Sequence, residues 1–320
     1  MKFFSTKLDG VSCSKEDIAW RYGAGNVFYP DSLLEEKDNA EANMTVLLGC
    51  HMPKMSRSVL LASQYGCGIK VVDEAFLSGA EGDPIVFKGD GLFTEIPKVA
   101  LLNKSGDAHA IVFESPSASA ILVGSWRCIK EGIFGKMVWE FLSRGIDPKD
   151  IKINIGPGLG ADSYSVAEDV YCSLLAMPGI DNADDRVFQK KAFKAGKPQK
   201  YVLNFPELIK QAASAHGIIS VDGSTSNNTF DKSEWKSVKS SADPDVLKAY
   251  YASRPYFSAR LFTRVVRQIN RVCEAIGRPL PAGVEPLTAT NYGGTGRCLN
   301  GVSLAESDAG LPSSSLGTTR

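Results

Sequence analysis

The stretch KVALLNKSGDAHAIVFESPSASAILVGSWRCIKEGIFGKMVWEFLSRGIDPKDIKINIGPGLG, residues 98–160, decides the reading of the fold. It opens with three apolar bursts, 98–104, 108–114 and 118–124, separated by Gly-Asp and Ser-Pro-Ser. Apolar runs bounded by turn residues predict successive strands, here of one sheet. From Trp126 to Arg144 the period becomes helical, with Ile129, Ile133, Phe134, Met137, Val138, Phe141 and Leu142 on one face. Gly145 is placed to end that helix. Residues 147–150 read as a turn and 151–156 as another strand. The glycine-rich run 156–160 follows; exposed N–H groups on such a loop can cradle a phosphate. It matches neither a Walker loop nor a dinucleotide fingerprint, and a plain turn is the preferred reading.

Upstream, 44–50 and 69–73 read as short buried strands, with 53–66 as a helix between them. Downstream, 181–200 reads as a loop or a surface segment, 205–216 as a helix with Pro near its first turn, and 216–223 as a turn and strand. Residues 222–245 are rich in Ser, Asn, Asp and Lys and read as exposed. Over 258–276, Leu261, Phe262, Val265, Val266, Ile269, Val272, Cys273 and Ile276 form an apolar helical face opposite Arg264, Arg267 and Arg271. Gly277, Pro279 and Pro281 stop that helix. Residues 305–320 read as a flexible tail. No fixed-period repeat is visible, and 1–320 is read as one domain.

Composition narrows the function classes. Of 320 residues, 43% are hydrophobic and 22% charged, which excludes a disordered chain. The 36 basic and 36 acidic side chains cancel, arguing against nucleic acid as an obligate partner. A local basic patch through Arg264, Arg267 and Arg271 is the one route left open to it. Seven cysteines, an odd number with no CxxC pair, argue for a reducing compartment. No signal-peptide run or membrane span of roughly 20 apolar residues is present, so a cytoplasmic protein is expected.

Six segments, in order, resemble the laccase-domain family, described as polyphenol oxidoreductases and purine nucleoside phosphorylases. They are SQYG at 63–66 before IKVVD, GDGLFTEIPKVALLNKSGDAHAIVF at 89–113, LVGSWRCIKEGI at 122–133, IGPGLGADSYSVAEDV at 155–170, YFSAR at 256–260 and GGTGRCLNGVSL at 293–304. The corresponding family features include a Gln-Val-His-Gly turn, an Ala-Asp-Cys strand start and a His-Ala-Gly-Trp-Arg-Gly turn. The resemblance covers roughly residues 45 to 304 and implies an α/β fold: a layered α-β-β-α sandwich of mixed sheets with outer helices, of the cytotoxic necrotizing factor-like type.

The departures matter as much. The family binds zinc or copper through a His, a Cys and a second His. Carried over position by position, these fall on Tyr65, Ala108 and Val123. Imidazole and thiolate offer lone pairs at about 2.0–2.3 Å; Ala and Val offer none. Without the metal, no bound water is brought to a pKa near 7. A rewired site would draw on Cys67, His109 and Cys128, with zinc or copper only in that case. Adjacent strand residues face opposite ways, so His109 should point away from the family's Cys position. The matching positions are Asp107, Trp126, Arg127, the loop glycines Gly156, Gly158 and Gly160, Tyr164, Arg260 and Arg297. Arg127 and Arg260 offer guanidinium forks for an anion, or Arg127 pairs an acid such as Asp107. A second departure is the insertion 261–291, an Arg-bearing helix with a Pro-rich return, placed to cap the family's pocket or replace one wall.

Three readings follow from the resemblance. One is a degenerate member that binds a protein partner or a nucleotide-like, purine-like ligand and needs no cofactor. Another is an enzyme on purine nucleosides with a rewired or metal-free site, using Asp107, Tyr65 and Arg260, with Arg127, Gly156, Gly158, Gly160, Tyr164 and Arg297 holding the ligand. The last is a copper-dependent polyphenol oxidase. One degenerate site ill suits four-electron oxygen chemistry, so this ranks below the others.

Overall fold

The computed structural model describes residues 1–5, 37–180, 186–191, 198–223, 229–230, 232–254, 258–281, 284 and 298–304. In chain order the first half runs β1 (Lys2–Phe4), α1 (Lys37–His51), β2 (Arg57–Ala62), β3 (Ile69–Val71), α2 (Glu74–Gly79), β4 (Ile85–Lys88), β5 (Gly91–Thr94), β6 (Val99–Ser105), β7 (His109–Glu114), β8 (Ser119–Gly124), α3 (Trp126–Lys130) and α4 (Ile133–Leu142). The second half runs β9 (Lys152–Ile155), β10 (Ser165–Ala167), α5 (Glu168–Leu175), β11 (Phe188–Lys190), β12 (Lys200–Leu203), α6 (Phe205–Ala215), β13 (Ser220–Asp222), α7 (Lys232–Val238), α8 (Pro244–Ala252), α9 (Ala259–Ile276) and β14 (Cys298–Val302).

The strands form a five-stranded sheet, β1-β14-β6-β2-β4, a six-stranded sheet, β13-β9-β7-β8-β5-β3, and a small sheet, β10-β12-β11. Both large sheets mix parallel and antiparallel pairs. They face one another, β6 and β14 lying against β8. Side-chain alternation shows why. Val59, Leu61, Val99 and Leu101 point into the main core, whereas Leu60, Ala100 and Leu102 point outward to Leu47 of α1, Phe3 and Leu299. On the other side, α4 covers β3, β5 and β8. The layers are therefore helix, sheet, sheet, helix. In β7, Ala110, Ile111, Val112 and Phe113 are all buried, as expected when both faces of a strand are covered.

Local signals set several boundaries. The side chain of Ser125 caps α3 by accepting from Cys128 N, Asn204 caps α6 from Glu207 N, and Ser258 caps α9 from Leu261 N. Pro206 sits in the first turn of α6, and Gly277 ends α9 in the left-handed region.

Other expectations are corrected. Residues 44–50 belong to α1: Ala40, Asn43 and Leu47 are its buried residues, a helical spacing that a short apolar run conceals. The expected helix over 53–66 holds β2 instead, whose run of Ser-Val-Leu-Leu is a strand buried on both faces. The three bursts after 98 do not share one sheet: β6 pairs β2 and β14, while β7 and β8 pair each other. The helix expected over 126–144 is two, because Gly132 adopts φ +83° between them. The loop expected over 181–200 includes β11 and the start of β12. The stretch 222–245 buries Phe230 and Trp235. Ile276 is exposed. The 305–320 tail, GGTGR with Arg297, and most of the Pro-rich return lie outside the described residues. Among those described, no helix is long and apolar enough to cross a membrane.

Phe141 of α4 packs edge-on to Phe93 and against Phe113, 5.0 and 5.8 Å between centroids. Phe141→Ala is expected to cost about 3–5 kcal/mol in urea unfolding. Trp139, two residues earlier in the helix and 62% exposed, should cost within about 0.5 kcal/mol when changed to Ala. Equal losses would contradict the helix orientation.

Candidate functional site

Asp107 lies in the turn between β6 and β7, and each of its oxygens is engaged. Oδ1 accepts from Ser258 Oγ at 2.6 Å and from Thr229 Oγ1 at 3.3 Å; Oδ2 accepts from Arg260 N at 2.9 Å. Its carbonyl accepts from Leu159 N at 3.0 Å. The residue thus caps α9 and holds the glycine loop, the favourable place for a carboxylate at a helix start. Arg260 donates from Nη1 to Ser163 O at 2.5 Å, its guanidinium 6.0 Å from the Tyr164 ring centre.

His109 is fully buried and stacked on Phe205 at 4.7 Å. Its Nδ1 lies 2.8 Å from Gly156 O and its Nε2 3.2 Å from Leu159 O. The ring therefore braces the loop from inside. A Cβ on Gly158 would meet that ring at 2.5 Å, which explains the glycine by packing. Burial pushes the His109 pKa below the usual imidazole value, outweighing the two carbonyls and nearby Asp107, which favour the charged form.

Tyr164 donates from its backbone N to Gly160 O at 2.9 Å; its hydroxyl oxygen accepts from Trp126 N at 3.3 Å, and burial pushes its pKa up to about 12. Arg127 is exposed and rests over the rings of Tyr65 and Trp126, 5.7 and 5.4 Å away. It does not pair with Asp107.

Sequence reasoning missed Asp90, which is buried. Its Oδ1 accepts from Ser63 Oγ, Gln64 N and Tyr65 N at 2.6–2.9 Å, and Oδ2 accepts from Gly66 N at 2.9 Å. Successive N–H groups turned to one side form an anion nest, and here a protein carboxylate fills it. The nest holds Tyr65 at φ +57°, a costly conformation for a residue with a Cβ. The signal was Gly89-Asp90-Gly91, a carboxylate set between two residues that let backbones approach closely.

Tyr65, Ala108 and Val123, the positions that the resemblance assigns to metal ligands, are linked through this network. Tyr65 N donates to the Asp90 carboxylate and Val123 N to the Asp90 carbonyl at 2.9 Å. Ala108 precedes His109, which pairs with Gly124, the neighbour of Val123. Val123 is buried, Ala108 half-buried and Tyr65 exposed. A zinc or copper ion is what the family implies for this place, and the side chains here do not fit one. Two are hydrocarbon and the third is a phenol. The proposed replacements are not gathered either. His109 is spent on the loop. Cys128 is buried beside Ser125 Oγ, and burial raises its thiol to about 11. Cys67 sits near the surface with Lys136 Nζ at 2.8 Å. His51 stacks on Phe3, and His216 follows α6, so all three histidines of the chain are placed. Among the described residues, no group of three or more His, Cys, Asp or Glu side chains could hold a metal.

Beside this region, a cleft of about 380 Å³ opens between the small sheet and α9. Lys191, Lys200, Arg260, Arg264 and Arg267 line it with Asp162 and the hydroxyl residues Ser163, Ser165 and Thr263.

Two facing mixed sheets with outer helices, and a glycine loop after β9 braced on the β6–β7 turn, define a laccase-type α/β sandwich. The chain belongs to the multi-copper polyphenol oxidoreductase laccase family, whose sequence profile matches residues 2–241. Its fold is similar to that of YlmD from Geobacillus stearothermophilus, with a TM-score of 0.64 and 19% identity over 96% of this chain and 92% of that one. A hypothetical protein YfiH from Bacillus licheniformis gives 0.61 at 19% identity, covering 95% and 92%. In sequence, the chain is 39% identical over 88 residues to purine nucleoside phosphorylase YlmD of Geobacillus stearothermophilus, 27% of this chain and 32% of that protein. It is 29% identical over 89 residues to a purine nucleoside phosphorylase of Deinococcus radiodurans, 27% and 35%. The chain thus matches about a third of the length of these curated relatives.

Two outcomes follow from the geometry. Gly158→Ala should cost about 1–3 kcal/mol by displacing the His109 ring. His109 also fixes a pH dependence. With its folded pKa below the unfolded value of about 6.5, the unfolded chain binds the extra proton, and stability is present above that value and lost as pH falls through it. Chemical denaturation from pH 7.5 to 5 should show a fall of at most about 1.4 kcal/mol per pH unit from this group, absent in His109→Asn. An unchanged slope in the variant would contradict the assignment.

Proposed function

We propose that this chain is a laccase-domain protein that has given up the family's metal-dependent chemistry and works by binding. The feature that carries this reading is the presence of Tyr65, Ala108 and Val123 at the three positions that the resemblance assigns to the metal donors. The surrounding polar groups support it. Asp107 is turned to helix capping, His109 to bracing the loop, and the buried Cys128 thiol is held in its neutral form, a poor ligand and nucleophile. The face left at this place is exposed Tyr65 and Arg127 with half-buried Trp126, an aromatic and cationic surface suited to a partner or a planar, purine-like ligand.

The second reading is an enzyme on purine nucleosides with a different metal set or none. It is favoured by the relatives named purine nucleoside phosphorylases, and Asp107, Tyr65 and Arg260 would carry it.

Elemental analysis of protein purified without chelator should find zinc and copper far below one per chain, and adenosine or inosine with phosphate should not be turned over. The combined variant Tyr65→His, Ala108→Cys, Val123→His should gain stoichiometric zinc, since it restores two imidazoles and a thiolate. Stoichiometric metal in the unaltered chain would defeat the binding reading, as would nucleoside turnover abolished by Arg260→Ala.

A further inference from the structure

The helix α9 belongs to the insertion that interrupts the family pattern after YFSAR, and its two faces do different things. Leu261, Val265, Val266, Ile269 and Cys273 are buried in the core, which fixes the helix in rotation. Arg260, Arg264 and Arg267, spaced four and three residues apart, are thereby held on one wall of the cleft beside the small sheet. The opposite wall brings Lys191 and Lys200 from the ends of β11 and β12. Five cations thus line about 380 Å³ of space against one lining carboxylate, Asp162, whose Oδ1 already accepts from Ser163 Oγ at 3.0 Å.

This arrangement is unfavourable without a counter-charge. Like charges three and four residues apart on a helix repel, and among the described residues no carboxylate pairs with Arg264, Arg267 or Lys200. The Arg264 guanidinium carbon lies 4.6 Å from the centre of the buried Phe230 ring, a contact that restrains the side chain. Partial burial, with Arg260 and Arg267 adding to it, lowers its pKa from the ordinary arginine value. Arg260 is held by its bond to Ser163 O. Two guanidiniums are thus oriented before any ligand arrives, which reduces the ordering a ligand must impose. Forked donors of this kind match the paired oxygens of a phosphate, and the hydroxyls of Ser165 and Thr263 add neutral donors.

We propose that this cleft is a binding site for a small molecule bearing a phosphate or diphosphate group, built by the inserted helix and the small sheet. The cleft, at about 380 Å³, is of small-molecule size, which favours such a ligand over a nucleic-acid strand that would need a long track. Arg271, one turn further along α9, lies outside the cleft. The inference concerns a different place from the Tyr65, Ala108 and Val123 positions and stands whether or not metal is found there.

The test is calorimetric titration of the full chain with inorganic pyrophosphate, inorganic phosphate and a short single-stranded oligonucleotide at fixed salt. Pyrophosphate should bind in a saturable manner and more tightly than phosphate. Arg264→Gln with Arg267→Gln, and separately Lys200→Gln, should each weaken it by about tenfold or more, as loss of charge-assisted hydrogen bonds implies. Arg271→Gln should leave it unchanged. The ligand-free Tm of the double variant should not fall, because repulsion is relieved and both side chains are exposed. The proposal is overturned if pyrophosphate does not saturate, if Arg271→Gln weakens binding as much as the cleft variants, or if the oligonucleotide binds more tightly than pyrophosphate.

Discussion

The Asp107 carboxylate is the tie on which the architecture around the site depends. It stands where two sheets, a glycine loop and the inserted helix converge. By accepting from Ser258, Thr229 and Arg260 N, it fixes where α9 begins. Through its carbonyl it fixes Leu159 in the loop. A carboxylate engaged by that many donors is held in place, and it neutralises the positive end of the longest described helix. The arginines that follow on α9 inherit their positions from it.

A second carboxylate does comparable work one strand away. Asp90 gathers the Ser63–Gly66 turn through three backbone N–H groups and a hydroxyl, holding Tyr65 in a left-handed conformation. The turn that presents Tyr65 is thus organised by the Asp90 carboxylate. A fold held in this way can change the donors without losing the frame, because the turn does not depend on an ion to close. What remains at those positions is a buried methyl-bearing side chain, a half-buried methyl and an exposed ring under Arg127.

Much of this was legible in the sequence, and the failures have physical causes. β7, β8, α6 and α9 were readable because their ends carry turn or capping residues. The exchange of helix and strand over residues 44–66 arose because short apolar runs look alike when a strand is buried on both faces, as β2 is. The assignment of β6 to the wrong sheet arose because local pattern does not encode which partner a strand pairs. The commitment of Asp107 to Ser258 was not legible, because that contact joins residues 151 apart in the chain. Asp90 escaped because Gly89-Asp90-Gly91 signals only room for a close backbone approach, and the four donors that fill it come from a turn more than twenty residues away. The basic cleft was half visible: the arginine face of α9 was evident, but not the lysines that the small sheet sets opposite it.

The central claim is that the family's metal position is lined here by side chains that cannot hold an ion. Anomalous diffraction at the zinc edge, from crystals of the unaltered chain soaked with excess zinc, tests it most directly. The account predicts no anomalous peak within bonding distance, about 2.0–2.3 Å, of any atom of Tyr65, Ala108 or Val123 or their neighbours Cys128 and His109. An ordered zinc seated among those side chains would contradict it.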